Sequence, residues 1–191
     1  MKKQTKITLI VVAIILIIAL LVTFIIKNNN NGKTSIKAED IKNLLETIYS
    51  DNKDVLPNLE ISEIDVTDSE LVTSYTGIQN AQNVENLVIL EPLMSSQAYS
   101  AGILQVKSNV NVESIKEEIL NNINMRKWMC VSAEKLYITN YNNIVFFVMA
   151  DEDWATATYN TFKKYAGNDI GKELEKTGDE NIELPAERPV Q

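Results

Sequence analysis

The chain has 191 residues, with 26 acidic against 18 basic side chains, a formal net charge of −8, one cysteine and no histidine. Without histidine there can be no Ser-His-Asp triad or Cys–His dyad, and nearly every zinc site is excluded; one cysteine cannot close an internal disulfide. The net negative charge repels phosphate backbones, so no nucleic acid is expected among the partners.

Residues 7–26, between Lys6 and Lys27, form a run of twenty without charge, proline or glycine. Sixteen are Ile, Leu, Val or Phe, and the others are Thr8, Ala13, Ala19 and Thr23. As a helix rising ~1.5 Å per residue, the run would span ~30 Å, the hydrocarbon thickness of a bilayer. Each large aliphatic or Phe residue near its centre favours insertion by roughly 0.3–0.6 kcal/mol. The run passes through Phe24, Ile25 and Ile26 into Lys27 with no small-residue cleavage pattern, so a transmembrane signal anchor is predicted rather than a cleaved signal peptide.

Lys2, Lys3, Lys6 and the terminal amine precede the run, and Lys27, Lys33 and Lys37 follow it. A six-residue tail with three lysines is hard to translocate, which predicts residues 1–6 in the cytoplasm and the rest outside it. The expected location is therefore the cell membrane, crossed once. Setting aside Lys2, Lys3, Lys6 and Lys27 leaves 14 basic residues against 26 acidic ones, a charge of −12. That balance suits a solvated extracytoplasmic body. Residues 27–35, with the run Asn28, Asn29, Asn30, Asn31 and Gly32, read as a flexible tether.

A domain over residues 36–176 follows. Ile41, Leu44, Leu45 and Ile48 fall at i, i+3, i+4 and i+7, which predicts a helix ending before Asp51, with Pro57 confirming the break. Residues 59–66 alternate imperfectly and predict a strand. Asp68 opens a short helix closed by Gly77. Residues 86–90 and 99–106 predict two strands, and Asn111 caps a helix whose stripe is Ile115, Ile119, Leu120 and Ile123. Residues 136–139 and 144–149 make a hairpin across a turn at 140–143. Asp151 caps a last long helix, with Trp154, Thr158, Phe162 and Tyr165 on one face and Gly167 at its end. Residues 170–174 read as a weak amphipathic turn, and residues 177–191 as a disordered acidic tail. The expected architecture is α+β, an antiparallel sheet with helices packed on one face. Cys130, among Trp128, Met129 and Val131, is expected to be a buried thiol.

Two stretches stand out chemically. Residues 91–100 crowd a carboxylate, hydroxyls and an amide between apolar strands, where a hairpin needs only two to five turn residues. Arg126 beside Trp128 is a composition that anchors partners, because Trp supplies area and Arg a rigid donor fork. The candidate ligand- or partner-binding residues are Glu91, Ser95, Ser96, Gln97, Tyr99, Arg126 and Trp128. No catalytic residue, metal or cofactor is assigned.

The segments EPLMSSQAYS, RKWMCVSAEKLYI and VMADEDWA resemble an uncharacterised domain family of anaerobic Gram-positive bacteria with an MSSQAYS-like segment. Its members are N-terminally anchored or lipid-modified extracytoplasmic proteins, and the resemblance covers residues 87–165, with 34–86 matching only loosely. It implies a location and no reaction, ligand or partner. The chain departs from the lipid-modified members in having no cysteine after its apolar run.

Three functional readings stand open. The first is a binding or assembly domain, anchored through residues 7–26, whose partner is an envelope protein or cell-wall component. Its bland counterpart is a long loop whose polar groups satisfy one another. The second is a serine hydrolase with a lysine base, since Ser95, Ser96 and Ser100 could meet Lys127, though no nucleophile-elbow or Ser-x-x-Lys pattern is present. The third is calcium binding by Asp65, Asp68 and Glu70 or by Asp151, Glu152 and Asp153. The second acidic set is equally explained as charge at a helix N-terminus.

Overall fold

The computed structural model describes residues 38–178. The predicted cytoplasmic tail, signal anchor and tether, and residues 179–191 of the predicted tail, lie outside the described residues. Among the described residues no helix is long and apolar enough to cross a membrane.

The elements follow in the order α1 (Ala38–Asp51), β1 (Leu59–Ile64), α2 (Ser69–Thr76), β2 (Val84–Pro92), β3 (Tyr99–Val106), α3 (Val112–Asn122), β4 (Lys135–Tyr141), β5 (Ile144–Ala150), α4 (Glu152–Ala166) and β6 (Leu174–Thr177). Six antiparallel strands form one open sheet in the order β1-β2-β3-β5-β4-β6. The mixed α+β class is as the sequence indicates.

The expectation of helices on one face is corrected. α1 and α4 cover one face, over Val88, Leu90, Tyr99, Ala101, Ile103, Phe146 and Val148. α2 and α3 cover the other, over Leu87, Ile89, Leu104, Leu136, Ile138, Val145, Phe147 and Met149. The reason lies in the two central strands. Every residue of β3 and β5 is buried, and strands apolar on both faces need cover on both. The parity of each strand's last residue matches its helix. Val106 belongs to the α2/α3 side and α3 follows it, whereas Ala150 belongs to the α1/α4 side and α4 follows it.

Local chemistry sets the boundaries. Asp68 accepts from the amides of Glu70 and Leu71, Asn111 from those of Glu113 and Ser114, and Asp151 from that of Trp154. Each side chain satisfies donors that the first helical turn leaves open. Gly77 closes α2 at φ 79, a left-handed conformation that glycine adopts without steric cost. Gly102 makes room on β3 for a ring, because a Cβ there would lie 2.5 Å from Phe147.

Three details differ from expectation. Tyr165 is half exposed and off the buried stripe of α4, which runs through Ala155, Thr158, Tyr159, Phe162 and Ala166. The turn between β4 and β5 is tighter than predicted, because Asn140 and Tyr141 lie in β4 and Tyr141 pairs with Ile144. Residues 174–177 are a sheet strand, so the boundary drawn at 176 falls inside it, and the Gly178 amide still donates to the Glu134 carbonyl at 2.8 Å.

A candidate binding end of the sheet

β2 finishes and β3 begins at the same end of the sheet, joined by residues 93–98. The connection from α3 to β4, residues 123–134, crosses the same end. The two loops are tied together, as the Met129 amide donates to the Ser95 carbonyl at 3.1 Å. Ala38 lies at the other end, since α1 pairs Lys42 with Glu63 late in β1 and Tyr49 with the backbone of Pro57 and Leu59 at its start.

Beneath the loops, on the α2/α3 face, a row of facing residues crosses the sheet. Glu60 pairs with Glu91, Ser100 with Met149, and Met149 with Leu136 opposite Lys176. Two carboxylates directly opposite each other repel, and Lys127 answers that charge. Its ammonium donates to Glu91 Oε1 and, at 3.2 Å, to Ser100 Oγ. It also lies 5.0 Å from the Tyr75 ring centroid and 5.5 Å from that of Trp128, two cation–π contacts. Burial lowers the Lys127 pKa, and the Glu91 charge and hydrogen bond oppose that shift. Burial raises the Tyr75 pKa, with Glu91 adding to it.

The candidate residues separate into distinct places. Glu91 and Trp128 join the lysine cluster. Ser95 and Ser96 are exposed on the loop, and Gln97 contributes its backbone to the turn, donating to Met94 and accepting from Tyr99. Tyr99 is core instead of surface: it points to the α1/α4 face, fully buried, with its hydroxyl 3.1 Å from Thr158 Oγ1 and its ring edge-on to Trp154. Burial pushes its pKa up. Arg126 is exposed and lines a different cavity from Glu91.

The serine that meets Lys127 is Ser100, and it lies in the interior of the sheet with no exposure. Acyl transfer needs a reachable hydroxyl and an amine free to take its proton. Here the amine is engaged by a carboxylate and two rings, an arrangement that holds a cation in place. Three of the six acids considered for calcium are otherwise engaged: Asp65 accepts from Thr67, Asp68 caps α2 and Asp151 caps α4. Among the described residues no group of three or more Asp, Glu or Cys side chains is placed to hold a metal.

Sequence reasoning missed the apolar character of this end. Leu93 is 78 % exposed, Met94 61 % and Met129 70 %, all on the two interlocked loops. Cys130, expected to be buried, is exposed at φ 61, because the segment packs inward through Trp128 and turns its next residues out. A flexible methionine pair beside an exposed leucine is a composition found at adaptable binding surfaces. Under them a cleft of about 230 Å3 is lined by Glu60, Ser62, Tyr75, Ile89, Glu91, Pro92 and Leu93.

Compared with known family models, curated proteins and solved structures, the chain matches none.

Proposed function

We propose that this chain is a single-pass, membrane-anchored extracytoplasmic binding domain that acts in the bacterial envelope without catalysing a reaction. Residues 7–26 supply the anchor, and the resemblance of residues 87–165 to anchored envelope domains fits that location. The observation that carries the binding reading is the exposure of Leu93, Met94 and Met129 on two loops fixed to each other. Desolvating such side chains favours association by about 25 cal/mol per Å2 of apolar area. An envelope protein or cell-wall component is the proposed partner.

The test is co-sedimentation of purified residues 36–178 with envelopes from cells lacking the chain. The unmodified domain should pellet with them, and the L93D/M94D/M129D variant, equally folded by circular dichroism, should stay in solution. Equal pelleting of the two sinks the surface. A phosphatase reporter fused after Gln191 checks the location, and its inactivity would place the domain in the cytoplasm.

The alternative of a surface serine hydrolase now concerns Ser100, which among the described residues is the serine hydrogen-bonded to a lysine amine, at 3.2 Å. It requires Lys127 to leave Glu91 and Ser100 to open to solvent. Labelling by a fluorophosphonate probe in the unmodified chain and not in S100A would establish it.

A further inference from the structure

Between Ala38 and Gly178 the chain carries eleven basic side chains against twenty-two acidic ones. Most of these cations have a carboxylate partner. Lys42 pairs with Glu63, Lys116 with Glu113, Lys127 with Glu91, Lys135 with Glu175, Lys163 with Glu173 and Lys172 with Glu117. Arg126 and Lys176 have no carboxylate partner among the described residues, and both line one cavity of about 160 Å3. Its remaining walls are Ile123, Asn124, Met125, Ser132, Ala133, Thr177 and Gly178, with no acid among them.

The frame of this cavity is fixed. The Arg126 amide donates to Asn124 Oδ1 at 2.9 Å, the Ala133 amide to the Met125 carbonyl at 2.8 Å, and the Gly178 amide to the Glu134 carbonyl at 2.8 Å. Among the described residues Lys176 Nζ reaches only the Leu120 carbonyl, at 3.3 Å. The backbone is thus committed, while the guanidinium and the Ser132 and Thr177 hydroxyls make no hydrogen bond among the described residues. In a molecule so rich in acid, two cations without an ion pair among the described residues, lining one cavity that has no acid in its walls, leave a local positive potential that an anion can neutralise.

We infer that the Arg126–Lys176 cavity is a binding site for a carboxylate carried on an aliphatic arm. A guanidinium fork matches a planar carboxylate in bidentate fashion, and the ammonium adds a point charge beside it. The buried side chains of Ile123, Met125 and Ala133 give the same cavity an apolar wall, which suits methylenes and gives a bare inorganic anion nothing. Two sources present that chemistry: an acidic side chain or terminus of another molecule, or the acidic residues that follow Gly178 in this chain, Asp179 and Glu180 first. This inference stands whether or not the Leu93–Met94–Met129 surface has a partner.

The chain holds two arginines, Arg126 and Arg188, so a nitrogen–proton spectrum of arginine Nε groups shows two signals, and R126K assigns one by removing it. The full-length chain in nonionic detergent is titrated with glutarate at constant ionic strength, beside a chain ending at Gly178. A saturable shift of the Arg126 signal supports the site, and K176Q should weaken it about tenfold, as expected for losing one charge-assisted contact. A response confined to the chain ending at Gly178 also supports it, and identifies the chain's own acids as the occupant. No shift in either chain, an equal shift with chloride or inorganic phosphate, or unchanged affinity in K176Q overturns it.

Discussion

The two faces of the sheet are built differently. Under α1 and α4 the space is filled by rings: Phe146 stacks on Phe162 at 4.4 Å between centroids, and Tyr137 on Tyr159 at 4.6 Å. The polar pair Tyr99–Thr158 inside it is satisfied by its mutual contact and by the Thr158 hydroxyl donating to the Trp154 carbonyl at 2.8 Å. Under the shorter α2 and α3 the core is mostly aliphatic, with Phe147 its one fully buried ring, and two lysines reach into it. Lys116 is fully buried and directs its ammonium to Glu113 Oε1 at 2.7 Å, Asn140 Oδ1 at 2.6 Å and the Lys172 carbonyl at 2.7 Å, using all three of its donors. Lys127 does the equivalent at the other end of that face. Helices of 14 and 15 residues cover their face, whereas helices of 8 and 11 leave its ends to loops and long cationic side chains. Both cavities that carry functional proposals border that second face.

If this contrast is right, truncation should hurt most on the aromatic face. F146A removes a fully buried ring from two stacks and should cost about 3–5 kcal/mol in urea unfolding of the domain; a loss under 1 kcal/mol would mean that face is loosely packed. On the other face, K116M keeps the shape of the side chain but strips donors from Asn140 and Lys172. A loss of about 1–3 kcal/mol is expected from those stranded acceptors.

The Lys127 cluster sharpens the comparison. E91Q strands a largely buried ammonium and should cost about 2 kcal/mol, while the K127M/E91Q double variant should recover most of that, because an ion pair replaced by apolar volume is often near neutral. Recovery of stability with unchanged envelope binding would make the cluster a structural support for the loops. Smaller again, D68A and N111A should each cost about 1 kcal/mol through lost helix caps.

The least effect belongs to acid titration on the aromatic side. Hydrogen bonds from Lys163 and Tyr159 hold the Glu173 pKa below its ordinary value of 4.5. Its contribution is present above that value and is lost as pH falls through the lower folded value. The domain's midpoint should therefore drop slightly more steeply below pH 4.5 than that of E173Q, and identical acid profiles would show that the contact is fully screened.

Much of this architecture is legible residue by residue. Asp68, Asn111 and Asp151 cap the helices predicted for them, Gly77 and Gly167 follow the ends expected, and 99–106 matches its strand to the residue. Those features are local, since a cap satisfies amides two or three positions away. The strand at 174–177 escaped because LEKT is short and polar, as an edge strand tends to be. The helix placement was open to a closer reading: the unbroken run from Ile144 to Met149 lacks the alternation of a strand with one wet face.

The candidate site was only half visible. Glu91 and Trp128 do meet, but through Lys127, whose sequence neighbours gave no hint that it turns inward while Arg126 turns toward another cavity. Tyr99 and Ser100 are adjacent in the chain and lie on opposite faces because strand side chains alternate, so their grouping by position could not survive folding.

By itself the sequence determined the apolar run at 7–26, the exclusion of histidine chemistry, the caps and most of the element order, because these depend on composition and on contacts a few residues long. Tertiary structure alone decided which face each helix covers, that Lys116 and Lys127 are buried, and that Arg126 and Lys176, fifty residues apart, share a cavity. Those outcomes follow from strand pairing across the sheet, and no local pattern encodes which distant residue arrives on the neighbouring strand.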